Sequence, residues 1–179
     1  HDPKNAGKAL GGEKRFYEFL KRLTDVVLAI IGTIVFAVLY PFIALAIKWE
    51  TEGPVFYKQS RIGKGGKIFE VIKFRTMIKE AEKYGAVWAT KNDQRVTKAG
   101  RFLRKTRLDE LAQVINILKG EMSVVGPRAE RPEFVEKLKK EIPFYDERLL
   151  VRPGLTGWAQ INYGKDLDSN DTKEKLQYD

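Results

Sequence analysis

An aspartate and a glutamate stand side by side at Asp109 and Glu110, with Arg101, Arg104, Lys105 and Arg107 crowded into the residues before them. Cations packed around adjacent carboxylates suit phosphate chemistry, in which a metal ion and several Arg or Lys groups neutralise a multiply charged ligand. A second reading is structural. Thr106-x-x-Asp109 fits a capping box, in which the acid reaches back to the backbone of the cap residue and does no chemistry. Capping alone accounts for none of the surrounding cations.

Elimination narrows the chemistry further. The chain has 179 residues, no cysteine and one histidine, His1. Thiol nucleophiles, cysteine-bound zinc and Ser-His or Cys-His arrangements are therefore excluded, which leaves carboxylates, lysine and arginine to carry catalysis. The glycine-rich IGKGGK segment lacks the spacing of a phosphate-binding P-loop and reads as a turn with solvated lysines. Lys73 and Arg75 alternate at the end of a strand, where they either meet a phosphate or face water.

The acid pair needs an element to hold it. Leu108, Leu111, Val114, Ile115 and Leu118 recur at helical spacing, which predicts one helix with Thr106 as its N-cap and Gly120 as its stop. Asp109 would then lie in the first turn, where free N–H groups and the helix dipole stabilise an anion. Upstream, Pro54 to Gln59 and Lys67 to Phe74 read as a β-hairpin. Met77 to Tyr84 reads as a short helix, and Gly85 to Gly100 as a loop carrying Trp88. Downstream, Phe134, Leu138 and Ile142 mark an amphipathic helix suited to core packing or to a membrane interface. Arg152 to Trp158 reads as a rigid turn. Residues 165–179 are polar and featureless, and no internal repeat is present.

The run from Val26 to Ile47 is uncharged and long enough for a membrane helix. Lys14, Arg15, Lys21 and Arg22 precede it, while Lys48, Lys58, Arg61 and Lys64 follow, so both flanks favour the same side of a bilayer. From Val26 to Tyr40 a helix rises about 22 Å, short of a hydrocarbon core of roughly 30 Å. Pro41 removes a helical N–H, so a re-entrant hairpin turning at Tyr40-Pro41 fits the charges. A kinked span and a buried core helix are the other readings.

With a net charge of +9 the chain attracts something anionic. One class is a basic, membrane-attached binding module for nucleic acid or anionic lipid, although no nucleic-acid-binding signature is evident. Another is a membrane anchor whose acid pair is only a cap.

Five segments in order, KRLTDVVLA, GPVFYKQSRIGKGGKIF, KFRTM, LRKTRLDELAQVINILKGEMSVVGPR and RPGLTGWAQI, resemble the bacterial sugar transferase family, the monotopic phosphoglycosyl transferases. The likeness runs from about Phe16 to Tyr163. It implies transfer of a sugar phosphate from a UDP-sugar to undecaprenyl phosphate, with release of UMP, as the step that primes glycan or exopolysaccharide assembly. By the same resemblance Asp109 is the nucleophile that takes up the phosphosugar, Glu110 helps to hold Mg²⁺, and Lys73, Arg75, Arg104 and Arg128 hold substrate phosphates. Nucleic acid is not a partner in this reading, and a homodimer is compatible with the larger relatives. Ala129 departs from a second proline that often follows GPR.

The expected fold is α+β. A disordered lead-in (1–15) precedes a re-entrant membrane helix kinked at Pro41 (16–50). A mostly helical cytoplasmic catalytic domain with a small β-hairpin (51–179) follows, excised from a larger chain and placed at the cytoplasmic face of the bacterial inner membrane.

Overall fold

The computed structural model of the chain describes residues 3–79, 81 and 93–163, with side chains from residue 12 onward. Helix α1 (Pro3–Glu50) is one continuous element of 48 residues, about 72 Å long at 1.5 Å per residue. It takes in residues 3–15, which composition alone sets apart as a lead-in. The backbone also stays helical through Tyr40 and Pro41, so no hairpin loop forms at that position. Packing compensates for the missing N–H of Pro41. Phe36 and Tyr40 stack on Phe56 and Phe74 with ring centroids 5.7–6.4 Å apart, and Ile43 and Ile47 are buried one and two turns later.

One stripe of α1, from Asp25 and Ala29 through Phe36 to Ile43 and Ile47, faces the remainder of the fold. Gly32 lets α1 approach closely, since a Cβ there would lie 2.8 Å from Val114 Cγ1. Val27, Leu28, Ile31, Ile34, Val38, Phe42 and Leu45 are exposed on the rest of its surface. The stretch Gly12–Glu50 is long and apolar enough to cross a membrane.

Two small sheets follow. Strands β1 (Phe56–Ile62) and β2 (Ile68–Phe74) form the expected antiparallel hairpin in the register Phe56↔Phe74 to Ile62↔Ile68. A 3₁₀ turn over Lys64–Gly66 closes it, and Gly65 and Gly66 supply the positive φ that the reversal needs. Strands β3 (Ser123–Val125) and β4 (Gly154–Thr156) pair in parallel, so the segment read as a rigid turn is a strand. Three residues are too few for an alternating pattern to register in the sequence.

The central stretch divides differently from its apolar spacing. Helix α2 (Lys98–Thr106) comes first, capped by the Thr97 hydroxyl, which accepts from Gly100 N at 2.9 Å. Thr106 closes this helix instead of opening the next: its hydroxyl donates to the carbonyls of Phe102 (2.9 Å) and Leu103 (3.2 Å). Arg107 reverses the chain at φ 61°, a 3₁₀ helix spans Leu108–Gln113, and α3 (Val114–Lys119) ends at Gly120 with φ 82° as expected. Leu108 and Leu111 pack with Phe74 and Leu103, while Val114 and Ile117 are buried in place of Leu118. An apolar i, i+3 pair suits a 3₁₀ turn as well as an α-turn, so the spacing alone does not separate them.

Helix α4 (Pro132–Glu141) buries Val135 and Leu138 with Ile142 and Tyr145, and Phe134 packs against them, which makes this face part of the core. Helix α5 (Trp158–Tyr163) leaves Trp158 exposed. The helix expected over Met77–Tyr84 and the loop with Trp88 fall largely outside the described residues, as does the tail from 165. Met77 itself bridges Val96.

Candidate active site

Asp109 and Glu110 occupy the first turn of the 3₁₀ helix, immediately after the left-handed residue Arg107. Arg107 pays the strain of a non-glycine residue in that region, on the order of 1–2 kcal/mol. Neighbouring side chains diverge by about 120° on a 3₁₀ helix, so the two acids address different surroundings.

Glu110 turns toward β2. Its Oε1 accepts from Lys73 Nζ at 2.8 Å, and both side chains are largely buried, at 13% and 17% exposure. Burial alone would raise the pKa of Glu110, but Lys73, Arg128 and Arg107 reverse that and hold it down at about 2. The carboxylate is therefore ionised at neutral pH. Burial lowers the pKa of Lys73, with Glu110 opposing the shift and Arg128 and Arg61 adding to it.

Arg61 and Arg128 complete the cationic wall. Burial and then Arg128 lower the pKa of Arg61 to about 10, against the opposing pull of Glu130. Arg61 donates to the Ala129 carbonyl at 2.8 Å and to Gln59 Oε1 at 2.6 Å, and lies 3.7 Å from Glu130. Arg148 donates to the Arg128 carbonyl at 3.2 Å. Gly154 N and Ile62 N bond to the carbonyls of Pro127 and Glu130 at 2.8 and 2.9 Å. The Gly126–Glu130 loop that carries Arg128 is thus pinned at four successive carbonyls. A small open pocket lies beside this wall, lined by Arg61, Lys73, Glu110, Gln113 and Arg128 together with Val71, Met122 and Leu155.

Asp109 addresses the other side, where it and Asp93 oppose the burial that lowers the pKa of Arg104. Arg104 Nε donates to Thr76 Oγ1 at 2.8 Å. That contact depends on Gly100, whose Cβ would fall 2.1 Å from the Thr76 carbonyl oxygen. Glu50, from the end of α1, accepts from the N–H groups of Lys98 (2.6 Å) and Ala99 (2.8 Å) and fixes the start of α2.

Of the six candidates, Lys73, Glu110 and Arg128 share one pocket, and Asp109, on the adjacent face of the turn, interacts with Arg104 of α2. Arg75 is elsewhere. Its buried guanidinium donates to the carbonyls of Thr51 (2.9 Å) and Glu52, closing the turn between α1 and β1. The strand ends at Phe74, so the alternation that would have paired Arg75 with Lys73 stops one residue short.

Among the described residues no group of three His, Cys, Asp or Glu side chains comes together. Glu110 is a single ionised oxygen donor, which is enough for Mg²⁺, an ion that keeps most of its waters and takes substrate phosphates as ligands. Cations around it oppose a lone dication, so the residues fit a metal that is accompanied by a diphosphate.

The sequence profile described as bacterial sugar transferase matches residues 16–179. The chain belongs to the bacterial sugar transferase family. It is 45% identical over 163 residues to the UDP-N-acetylgalactosamine-undecaprenyl-phosphate N-acetylgalactosaminephosphotransferase of Aeromonas hydrophila, covering 91% of this chain and 38% of that protein. It is 46% identical over 159 residues to the UDP-glucose:undecaprenyl-phosphate glucose-1-phosphate transferase of Escherichia coli (strain K12), covering 88% of this chain and 34% of that protein. A Bacillus subtilis (strain 168) relative is 50% identical over 133 residues, 74% of each chain. The chain thus spans little more than a third of the two longer relatives.

Several residues of this family member's site carried no chemical signal in the sequence. In the sequence Arg61 reads only as a flanking charge, and no spacing marks Glu130 or Arg148. Arg61 and Arg148 are nonetheless 9% and 8% exposed, and both pin the Arg128 loop. Gln113 was likewise hidden as a polar residue at the edge of an apolar pattern.

Proposed function

We propose that this protein transfers a sugar 1-phosphate from a UDP-sugar to undecaprenyl phosphate by covalent catalysis at Asp109. The observation that carries this reading is a pocket in which Arg61, Lys73 and Arg128 face an ionised Glu110 on the same turn as Asp109, within a bacterial sugar transferase chain. In the first step an Asp109 carboxylate oxygen attacks the β-phosphorus of the donor, the bond from that phosphorus to the bridging oxygen breaks, and UMP departs with the bonding electrons. In the second, an oxygen of the acceptor phosphate attacks the same phosphorus, and the Asp109 carboxylate leaves. Lys73, Arg128 and Arg61 offset the repulsion between carboxylate and phosphate, and Arg104 is placed to orient Asp109. Glu110 would hold Mg²⁺, whose chemistry there is to neutralise the diphosphate and its departing phosphate.

The membrane arrangement is part of the same proposal. Both ends of the apolar segment of α1 are tied to one folded unit. Asp25 Oδ1 accepts from Lys21 Nζ, Ser123 Oγ and Val124 N at 2.9 Å each, and Glu50 caps α2. Such anchoring supports a segment held to one side of the bilayer as an unbroken helix, kinked at Pro41 rather than looped, with the site on the cytoplasmic face of the inner membrane. Its outward Val, Leu, Ile and Phe side chains would meet lipid.

The test is UMP release in detergent or lipid discs, with undecaprenyl phosphate, Mg²⁺ and a panel of UDP-sugars. The wild type should turn over at least one donor, and Asp109→Asn should reduce that rate at least about 10⁴-fold. Equal rates for the two proteins would remove Asp109 from the chemistry.

A further inference from the structure

Among the described residues lining the Lys73–Glu110 pocket, Gln113 is the one polar side chain that no protein group hydrogen-bonds. It is 4% exposed and lines the pocket. An amide that bonds no protein group at a pocket wall is free to bond water or a ligand that enters.

Its placement follows from the local helix. Gln113 closes the 3₁₀ turn three residues after Glu110, and side chains at i and i+3 eclipse in such a helix. The amide therefore stands on the Glu110 side of the turn. The corresponding position on the Asp109 side is Ala112, fully buried and without polar atoms.

The pocket also indicates what the amide meets. Arg61, Lys73 and Arg128 outnumber Glu110 and the neighbouring Glu130 by one charge, so the group that enters is anionic, and the amide presents its N–H₂ end to it. A neutral donor adds direction without adding to the repulsion among three cations already held close together. We propose that Gln113 is a phosphate-binding residue of this site, its Nε2 donating to an oxygen of the phosphoryl group that Arg61, Lys73 and Arg128 attract. That group comes from the donor diphosphate or from the acceptor monophosphate. The assignment rests on the transferase reading given above.

The experiment uses the full chain in detergent and titrates it calorimetrically with UDP plus Mg²⁺ and, separately, with a short-chain polyprenyl phosphate. Wild type, Gln113→Met and Gln113→Glu are compared, and the melting temperature of each ligand-free protein is recorded. Methionine keeps the length without the polar atoms, and glutamate keeps the shape but repels phosphate. Gln113→Met should weaken binding of one of the two phosphates about 10- to 100-fold, which identifies the source, and Gln113→Glu should weaken it further. Removing an amide that bonds no protein group should leave the ligand-free melting temperature within about 2 °C of the wild type. Variants that bind both phosphates like the wild type overturn the role of Gln113 and leave the transferase reading standing, whatever their melting temperatures. A wild type that binds neither phosphate overturns both.

Discussion

Lys21 meets Asp25 at 2.9 Å and Lys73 meets Glu110 at 2.8 Å, yet the surroundings of the two pairs differ in kind. Asp25 is 1% exposed, and the single oxygen that Lys21 holds also accepts from Ser123 and from the N–H of Val124. That oxygen is saturated by donors from this chain while Oδ2 is buried without one, and the contact docks α1 onto β3. Glu110 instead opens onto a pocket where Lys73, Arg61 and Arg128 outnumber the two carboxylates Glu110 and Glu130, with the Gln113 amide in its lining. A buried pair matched by its own neighbours maintains architecture. One set within surplus charge of a single sign is prepared for an anion from outside.

Breaking the closed pair should produce the largest change in stability. Asp25→Ala strands the Val124 N–H and leaves Lys21 with only Ser123 and water, at a cost of about 2–4 kcal/mol and a melting temperature lower by roughly 4–16 °C. Differential scanning calorimetry would measure it, and a change under 2 °C would mean that α1 is held by its apolar stripe alone. The open pair should respond in binding instead. Lys73→Met is expected to weaken UDP affinity about 10- to 100-fold with a smaller loss of stability, by isothermal titration; unchanged affinity would make this pair a second structural clamp.

The acid limb separates the pairs further. The pKa of Glu110 lies below its unfolded value, so its contribution is present above about pH 4.5 and is lost as pH falls through about 2. Glu110→Gln should therefore flatten the decline of melting temperature as pH drops below about 4.5, and a decline as steep as that of the wild type would contradict the ion pair. Arg75→Lys, which cannot span the carbonyls of Thr51 and Glu52 as a fork, should cost about 1–2 kcal/mol in urea denaturation and leave the KM for UDP-sugar unaltered. A raised KM would return Arg75 to the substrate. Thr106→Ala should be the mildest, within about 0.5 kcal/mol, because its hydroxyl only back-bonds within α2. A loss near 1 kcal/mol would be the signature of a cap.

The legible parts of the fold were those with a strong local pattern. The hairpin showed through β-branched and aromatic alternation with a glycine turn, and Gly120 ended its helix because a left-handed stop favours glycine. Helix α2 was hidden because KAGRFLRKT buries only Gly100 and Leu103, too sparse an apolar face to read. Arg107 concealed the boundary after it, since arginine is an uncommon residue at positive φ.

The site divides along the same line. Asp109, Glu110 and their cations declared themselves by proximity in the chain. Arg61, Arg148 and Gln113 function through tertiary contact, and Arg61 lies 68 residues from the Ala129 carbonyl it holds. Alternation placed Lys73 and Arg75 on one face, and the end of β2 separated them.

The most direct test of the account is the intact mass of the protein after incubation with a UDP-sugar that it turns over and Mg²⁺, without acceptor, followed by peptide mapping. The wild type should gain the mass of one sugar phosphate on the peptide containing Asp109, lose it when undecaprenyl phosphate is added, and show no gain as Asp109→Asn. Turnover with no adduct when the reaction is quenched, or an adduct mapped to any other residue, would contradict Asp109 as the nucleophile.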